Sequence, residues 1–374
     1  MTHSLEAGGD VAVIGAGIIG LAVAFELSAR GASVRVYDTH EPARAASWAA
    51  AGMLAPRTEH LSDAALRALC EDSLAQYPAF ADAVREASGV DPHLRLDGIV
   101  HTAYSEESLA ALQSWQHDLH EEGYRADLFS REDVLRAEPA LGKHIGGGLL
   151  VYGEGHIDNR RLGRALAAAC VARGVRVHGG MKALSLECDS RRVLGVRSDL
   201  GYVATNAVVN AAGAWAAHID GAPSNCVPDV HPIKGEMLAI EVPAGFIRHT
   251  TWIPHGYLVP RADGRLLVGA TAKDAGFDTR VTAGGIEALL HSAVTAVPAL
   301  REFTVSETWA GLRPATPDER PFLGATPLQG YFLACGHYRN GILLAPATSR
   351  LLADALEGVS AVPDAFAVGR YALR

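Results

Sequence analysis

Two glycine turns at opposite ends of the chain carry the chemistry that its residue types allow. Near the N-terminus, Gly15-Ala16-Gly17-Ile18-Ile19-Gly20 follows the apolar run Val11 to Ile14. Gly15 permits a tight turn, Gly17 lets backbone approach a pyrophosphate, and Gly20 lets a helix pack closely on its strand. Asp38 lies roughly twenty residues further on, where a carboxylate accepts both ribose hydroxyls of a dinucleotide. Near the other terminus, Cys335-Gly336-His337-Tyr338-Arg339-Asn340-Gly341-Ile342-Leu343 runs into an apolar, helix-forming stretch that ends near Gly358. Such a turn presents unpaired N–H groups, and a helix start gathers positive partial charge, which suits a phosphate, a carboxylate or an anionic ring edge. The pair predicts a cofactor pinched between the first and last elements of the fold.

Asp38 disfavours a 2′-phosphate, so NADP is not expected, while NAD and FAD both stay open. The segment Ala45 to Pro56 is rich in small residues. It suits backbone lying flush against a flat ligand, and equally an alanine-rich helix start.

These turns need a frame. Strand, turn and helix over Val11 to Arg30, then a β-rich stretch from Ser33 to Tyr37, make a βαβ unit. Ser62 to Ser88 reads as helix with a break or kink at Pro78. Residues 94–104 read as strand and 106–122 as helix, and Ser130 with Asp133 forms a helix-capping start. Asn159 to Arg173 is helical, short strands follow through Asn210, and 232–311 is mostly strand with one helix near 282–296. The expected fold is mixed α/β: a discontinuous Rossmann-like domain from 1–90, 150–225 and 310–374, interleaved with an antiparallel-sheet domain from 91–149 and 226–309.

Composition limits what such a frame does. The 374 residues suit two domains, and 49% hydrophobic with 20% charged residues is ordinary for a globular protein. A net charge of −9 argues against a sequence-independent grip on nucleic acid. The five cysteines are odd in number and never spaced as CxxC, so no disulfide framework or metal site is expected, and a reducing cytoplasm fits. The first ten residues lack the blocks of a signal peptide and no apolar run is long enough to span a bilayer, so neither export nor membrane insertion is expected.

Taken together, the motifs resemble the FAD-dependent amine and amino-acid oxidases of the D-amino-acid oxidase type, and most of all the glycine oxidases of bacterial thiamine biosynthesis. The resemblance runs through GAGIIG, AAAGMLAP (49–56), VVNAAGAWA (208–216), PIKGEML (232–238), HGYLVPR (255–261), GRLLVGAT (264–271), WAGLRPATPDERPFLG (309–324) and GHYRNGILLAP (336–346). It implies non-covalent FAD, with Ile18 and Ile19 on the pyrophosphate and Asp38 and Thr39 on the ribose. Ala46, Ser47, Ala51, Gly52 and Met53 would line the phosphates and flavin, with Ala212 and Gly213 beside them and Ala183 meeting the adenine. His337 to Leu343 would lie against the pyrimidine side of the flavin, with Asn340, Gly341 and Ile342 starting the last helix. Preorganised N–H donors there would stabilise the charge that reduction places on the flavin edge.

For the substrate, the resemblance assigns the carboxylate to Arg313, although a pairing with a local acid such as Asp318 is the alternative for that arginine. Tyr257 matches the family's pocket tyrosine. His255, expected on the same strand face, and Arg339 and Met53 complete the set. The implied reaction is hydride transfer from substrate Cα to flavin, with oxo acid, ammonia and hydrogen peroxide as products and no catalytic side chain required. Dioxygen is the implied acceptor and a homo-oligomer the implied assembly. A quinone-linked dehydrogenase and a tRNA-modifying oxidase are the rival readings. One departure stands out: the glycine oxidase pattern carries methionine after GAT, where this chain has Ala272. The smaller residue leaves room for substrates larger than glycine.

Overall fold

The apolar run after Asp10 becomes a central strand because both of its faces are covered. Asp10–Ile14 lies between the parallel strands Ser33–Tyr37 and Ala207–Asn210. The computed structural model describes residues 10–181 and 184–370. The six-stranded sheet runs Phe322–Ala325, Tyr331–Cys335, Ala207–Asn210, Asp10–Ile14, Ser33–Tyr37, Arg176–His178, with only the first pair antiparallel. Alternation sorts its side chains. Val11, Val13, Val34 and Val36 face a layer formed by the helices Ile18–Ala29, Ala64–Ser88, Asn159–Ala172 and Ala345–Glu357. Ala12, Ile14, Val208 and Leu333 face a three-stranded meander of Leu184–Cys188, Val193–Ser198 and Gly201–Ala204.

The second sheet has eight strands and is mostly antiparallel. Its order is Val305–Ala315, His231–Glu241, Arg265–Gly269, Gly256–Pro260, Thr250–Ile253, Ile99–Ala103, Gly147–Val151, Ala126–Ser130. Leu238, Ile240, Leu258, Leu266 and Val268 pack under the helix Ala283–Ala296. The alternate residues Met237, Ala239, Val259 and Leu267 face Ala49 and Ala51 on the opposite side. That second face looks toward the six-stranded sheet, and the space between them is the site. Two strands of this sheet, Gly147–Val151 and Val305–Ala315, run across the positions near 150 and 310 where the domain division was expected.

Two local expectations are narrowed or corrected. Of the break or kink expected at Pro78 there is no break: Ala64–Ser88 is continuous, started by the Asp63 side chain on the Leu66 amide at 2.8 Å and ended by Gly89 at φ 70°. Its buried face, with Leu74, Tyr77 and Ala81, outweighs the one hydrogen bond that proline removes. The last helix begins at Ala345, not at 340, and Pro346 sits in its first turn, where a missing N–H costs nothing. Ser130 with Asp133 does form the expected capping box. Among the described residues, no helix is long and apolar enough to cross a membrane.

Candidate active site

At the N-terminal turn the chain folds back so tightly that side chains are excluded. Gly15 has φ 108°, and a Cβ there would overlap the Ala211 carbonyl oxygen; a Cβ on Gly20 would overlap the carbonyl of Gly15. Asp38 Oδ2 accepts from the Ala16 amide at 2.6 Å and Oδ1 from the His40 amide at 2.8 Å, which places the carboxylate at the strand end. Ser47 Oγ accepts from the Ile18 amide at 2.9 Å. The Ile18 amide is therefore held by Ser47, and the helix start and the small-residue segment are tied together at the point where a pyrophosphate was expected.

That segment is neither a bare helix nor a loose loop. Ala46–Ala49 is one short helical turn, and Met53–Leu54 pairs with Gly155–His156. Between them the carbonyls are pinned by buried donors. Asn159 Nδ2 reaches the carbonyls of Ser47 at 2.7 Å and Trp48 at 3.1 Å. Trp309 Nε1 reaches Ala49 at 3.0 Å, and Arg261 Nη2 reaches Ala51 at 2.6 Å and Asn159 Oδ1 at 3.0 Å. Arg261 is only 6% exposed, and burial lowers its pKa to about 10. These donors fix the backbone that faces the cavity.

The C-terminal turn is pinned in the same way. The Tyr338 amide donates to the Pro314 carbonyl at 2.8 Å. Tyr77 donates from its hydroxyl to the Ile342 carbonyl at 2.8 Å, and Ser73 to the Leu343 carbonyl at 2.6 Å. The Asn340 amide donates to His337 at 2.9 Å and so is already paired, contrary to expectation. His337 is buried, its Nε2 lies 3.0 Å from Thr348 Oγ1, and burial lowers its pKa to about 3, so the ring is neutral.

Arg313 stands at the far end of the cavity, in the strand Val305–Ala315 opposite His231–Glu241. Its guanidinium lies flat across Gly235, where a Cβ would overlap it, and Nη1 donates to the Thr271 carbonyl at 3.0 Å. Thr271 is itself held by buried Glu236, whose amide donates to the threonine Oγ1 at 2.8 Å. Asp318 accepts instead from Arg370 at 2.9 Å, which removes the alternative pairing. Tyr257 packs edge-on to Trp252 with centroids 5.4 Å apart. Burial raises the Tyr257 pKa, and the neighbouring Arg313 guanidinium partly offsets this. His255 is not on the strand face: it sits exposed in the turn before Gly256–Pro260, at φ 63°.

One cavity of about 570 Å³ joins these parts. It is lined by Gly15, Gly17, Ile18, Ile19, Asp38 and Thr39 at one end, and by Arg313, Tyr257, His255, Ala272 and Arg339 at the other. Between the ends stand Ala46, Ser47, Ala51, Gly52, Met53, Ala212, Gly213, His337, Tyr338 and Asn340 to Ile342. Gly20 and Leu343 lie behind this wall, in helix packing and core respectively. Ala183 lies outside the described residues. Sequence reasoning missed Glu59, which lines the cavity and whose pKa burial raises against the pull of Arg339 and Arg313. The quoted motif AAAGMLAP stops at Pro56, three residues short of it. It also missed Arg261, although the quoted motif HGYLVPR ends on it, and Asn159, the first residue of its helix.

A glycine cradle at a strand–helix turn, an acid at the next strand end and a cavity closed by a guanidinium define a dinucleotide-dependent oxidoreductase. A profile of the FAD dependent oxidoreductase (DAO) family matches residues 10–355, and the chain belongs to that family. It is 36% identical over 361 residues to a glycine oxidase of Geobacillus kaustophilus (strain HTA426), covering 96% of this chain and 94% of that one. The crystal structure of glycine oxidase from Geobacillus kaustophilus superposes with a TM-score of 0.89 at 34% identity, covering 99% of each chain. A bifunctional protein ThiO/ThiG of Trichormus variabilis (strain ATCC 29413 / PCC 7937) is 35% identical over 349 residues, 92% of this chain; the chain spans about half that relative's length, 52%. The cradle, the pinned backbone of 47–53 and a cavity lined by both fit FAD.

Proposed function

We propose that the chain oxidatively deaminates glycine and other small amino acids or amines, D-amino acids among them, with FAD as cofactor and dioxygen as acceptor. The observation that carries this reading is Arg313, a guanidinium aimed into the cavity end and held by Gly235 and the Thr271 carbonyl rather than by an acid. A carboxylate meets it there in a two-point contact, with the Tyr257 hydroxyl beside it. Glu59 is the acidic partner for the amine end. Met53 and Trp252 supply apolar walls that exclude water from the reacting carbon.

Held by the Gly15–Gly20 turn, Asp38 and the backbone of 47–53, FAD would supply the acceptor for a hydride from the substrate Cα, with dioxygen as the final oxidant and hydrogen peroxide as its product. The protein contributes orientation, and no side chain is needed as base if the amine is neutral. The Gly341 and Ile342 amides support the proposed stabilisation of the reduced ring, since neither is used within the turn as Asn340 is. Non-covalent attachment is supported by Cys335, whose buried thiol is pushed up to about 12 and is not a nucleophile at neutral pH. Ala272 at the cavity edge supports substrates larger than glycine. The thiamine-biosynthesis context, a homo-oligomer and a cytoplasmic location belong to the same proposal.

The test is anaerobic mixing of the holoenzyme with glycine, sarcosine, and D- and L-amino acids, followed by admission of air. Bleaching by glycine or a D-amino acid, then peroxide equal to substrate lost, is the expected result. Reduced flavin that persists in air refutes the oxidase and indicates a quinone-type acceptor.

A further inference from the structure

The backbone that carries Glu59 into the cavity is fastened from behind by a second, fully buried acid. Glu154 shows no exposed surface. Its Oε1 accepts from the Arg57 amide at 2.6 Å, and its Oε2 is 3.4 Å from the Thr58 amide. The Arg57 guanidinium adds an ion pair, Nη1 to Oε1 at 3.7 Å. Immediately after Glu154, Gly155–His156 pairs with Met53–Leu54, so the clasp sits where the strap enters from its strand. The strap closes on itself by the Glu59 amide to the Ala55 carbonyl at 3.1 Å and the His60 amide to Arg57 at 3.0 Å. Among the described residues, Glu154 is the carboxylate that takes backbone amides from the middle of the strap, whereas Glu71 approaches only the Arg57 side chain.

We propose that Glu154 is a positioning residue for the reaction, clasping the strap at Arg57 and Thr58 so that Glu59 is held against the Arg313 and Arg339 end of the cavity. This rests on the reading of that end as the substrate pocket. A carboxylate facing two amides is an acceptor at both oxygens; a carboxylic acid carries a proton on one of them and no charge opposite Arg57. Protonation therefore opens the clasp. Burial brings this into reach, raising the Glu154 pKa to about 7 against the lowering influence of Arg57 and Thr58.

The charged surroundings are few. On the strap, Arg57 faces Glu154 directly. From the helix Ala64–Ser88, Glu71 lies 3.9 Å from Arg57 Nε, and from the segment after Glu106–Glu121 the Tyr124 ring lies 3.7 Å beneath the Arg57 guanidinium. Behind Glu154, the Gly98 amide donates to its backbone carbonyl at 3.0 Å, and Arg95 is turned away to Asp97 and to the Arg248 carbonyl. Arg57 is thus the group whose pairing changes when Glu154 titrates.

The test compares the FAD-loaded wild type with Glu154→Gln, Glu59→Gln and the double variant. At pH 8, E154Q is expected to raise KM for the best substrate roughly tenfold with kcat within twofold, and E59Q to do the same. The double variant is expected to be no worse than either single one, because both act through one group. Between pH 8 and pH 6 the KM ratio of E154Q to wild type is expected to fall toward one. Wild-type KM in E154Q, or multiplied effects in the double variant, overturns the proposal. Amide hydrogen exchange over residues 55–60 at one fixed pH, 8, reads the clasp without turnover and is expected to be at least tenfold faster in E154Q. Unchanged exchange overturns the clasp whatever the substrate is, whereas failure of every amine to bleach the flavin overturns the functional reading and leaves the exchange result standing.

Discussion

Replacing Arg313 by alanine separates binding of the substrate from binding of the cofactor. The guanidinium spends one N–H on the Thr271 carbonyl at 3.0 Å and also meets the Tyr257 hydroxyl, and its remaining N–H groups face a carboxylate. A hydrogen bond to a charged group contributes about 1.5–3 kcal/mol. Two such bonds at a half-buried site, with one lost to solvent competition, give about 3 kcal/mol. That corresponds to a roughly 150-fold rise in Kd. Titration of oxidised holoenzyme with acetate, a carboxylate without an amine, reads this through the flavin absorbance band. FAD content is expected to be unchanged, since the dinucleotide turn lies at the other end of the cavity. Arg313→Lys restores charge but not the fork, and an intermediate Kd is expected. A Kd within threefold of wild type in R313A, or loss of flavin from the variant, refutes the assignment.

Three further outcomes follow from the same geometry. Tyr257→Phe removes a hydroxyl beside Arg313, and about 1 kcal/mol gives a several-fold rise in KM for glycine with kcat kept; unchanged steady-state constants would detach the hydroxyl from the substrate. Ala272→Met adds bulk at the cavity edge and is expected to cost D-alanine at least about tenfold more in kcat/KM than glycine; equal losses would place residue 272 off the substrate path. Burial raises the Glu154 carboxyl from 4.5 to about 7, so between those values the native state holds a proton that the unfolded chain has released. Its stabilising contribution is full below pH 4.5 and is lost as pH rises through 7, by about 3 kcal/mol. Urea midpoints at pH 5 and pH 8 should therefore differ less in E154Q than in wild type, and an identical difference in both proteins rules this out.

Legibility in the sequence followed the range of the interactions. The turn at Gly15 to Gly20 and the acid at Asp38 were readable because strand, turn, helix and strand follow one another within about thirty residues. Arg313 and Tyr257 were reached only through the resemblance, since each acquires its meaning from a partner on another strand: Gly235 for the arginine and Trp252 for the tyrosine. Glu59 and Asn159 had no local signal, and Arg261 closes the quoted motif HGYLVPR without any sign there that it grips the Ala51 carbonyl. His255 was misplaced because strand periodicity was carried through a hairpin turn, where a φ of 63° breaks the alternation. The start of the last helix was legible and overlooked. Pro346 belongs in a first turn, so a helix beginning at 340 would have put it in the interior, where its ring clashes with the preceding turn.

The stretch from Ser47 to Glu59 belongs to neither sheet, yet both sheets hold it. Asn159 grips it from the helix layer of the six-stranded sheet, while Trp309 and Arg261 grip it from the eight-stranded sheet or its edge. Glu154 then holds the far end through amides rather than carbonyls. On the proposed reading a flat cofactor would lie against this backbone, and the substrate would be held by Arg313 and Tyr257 of the eight-stranded sheet with Glu59 of the strap beside them. Hydride transfer depends on the separation of two reacting atoms, and errors of an ångström are costly. Because both sheets grip the strap, it would tie the cofactor side of the cavity to the strands that carry Arg313 and Tyr257. Burying Arg261 and Glu154, whose pKa values are pushed toward neutrality by desolvation, is what this fixing costs.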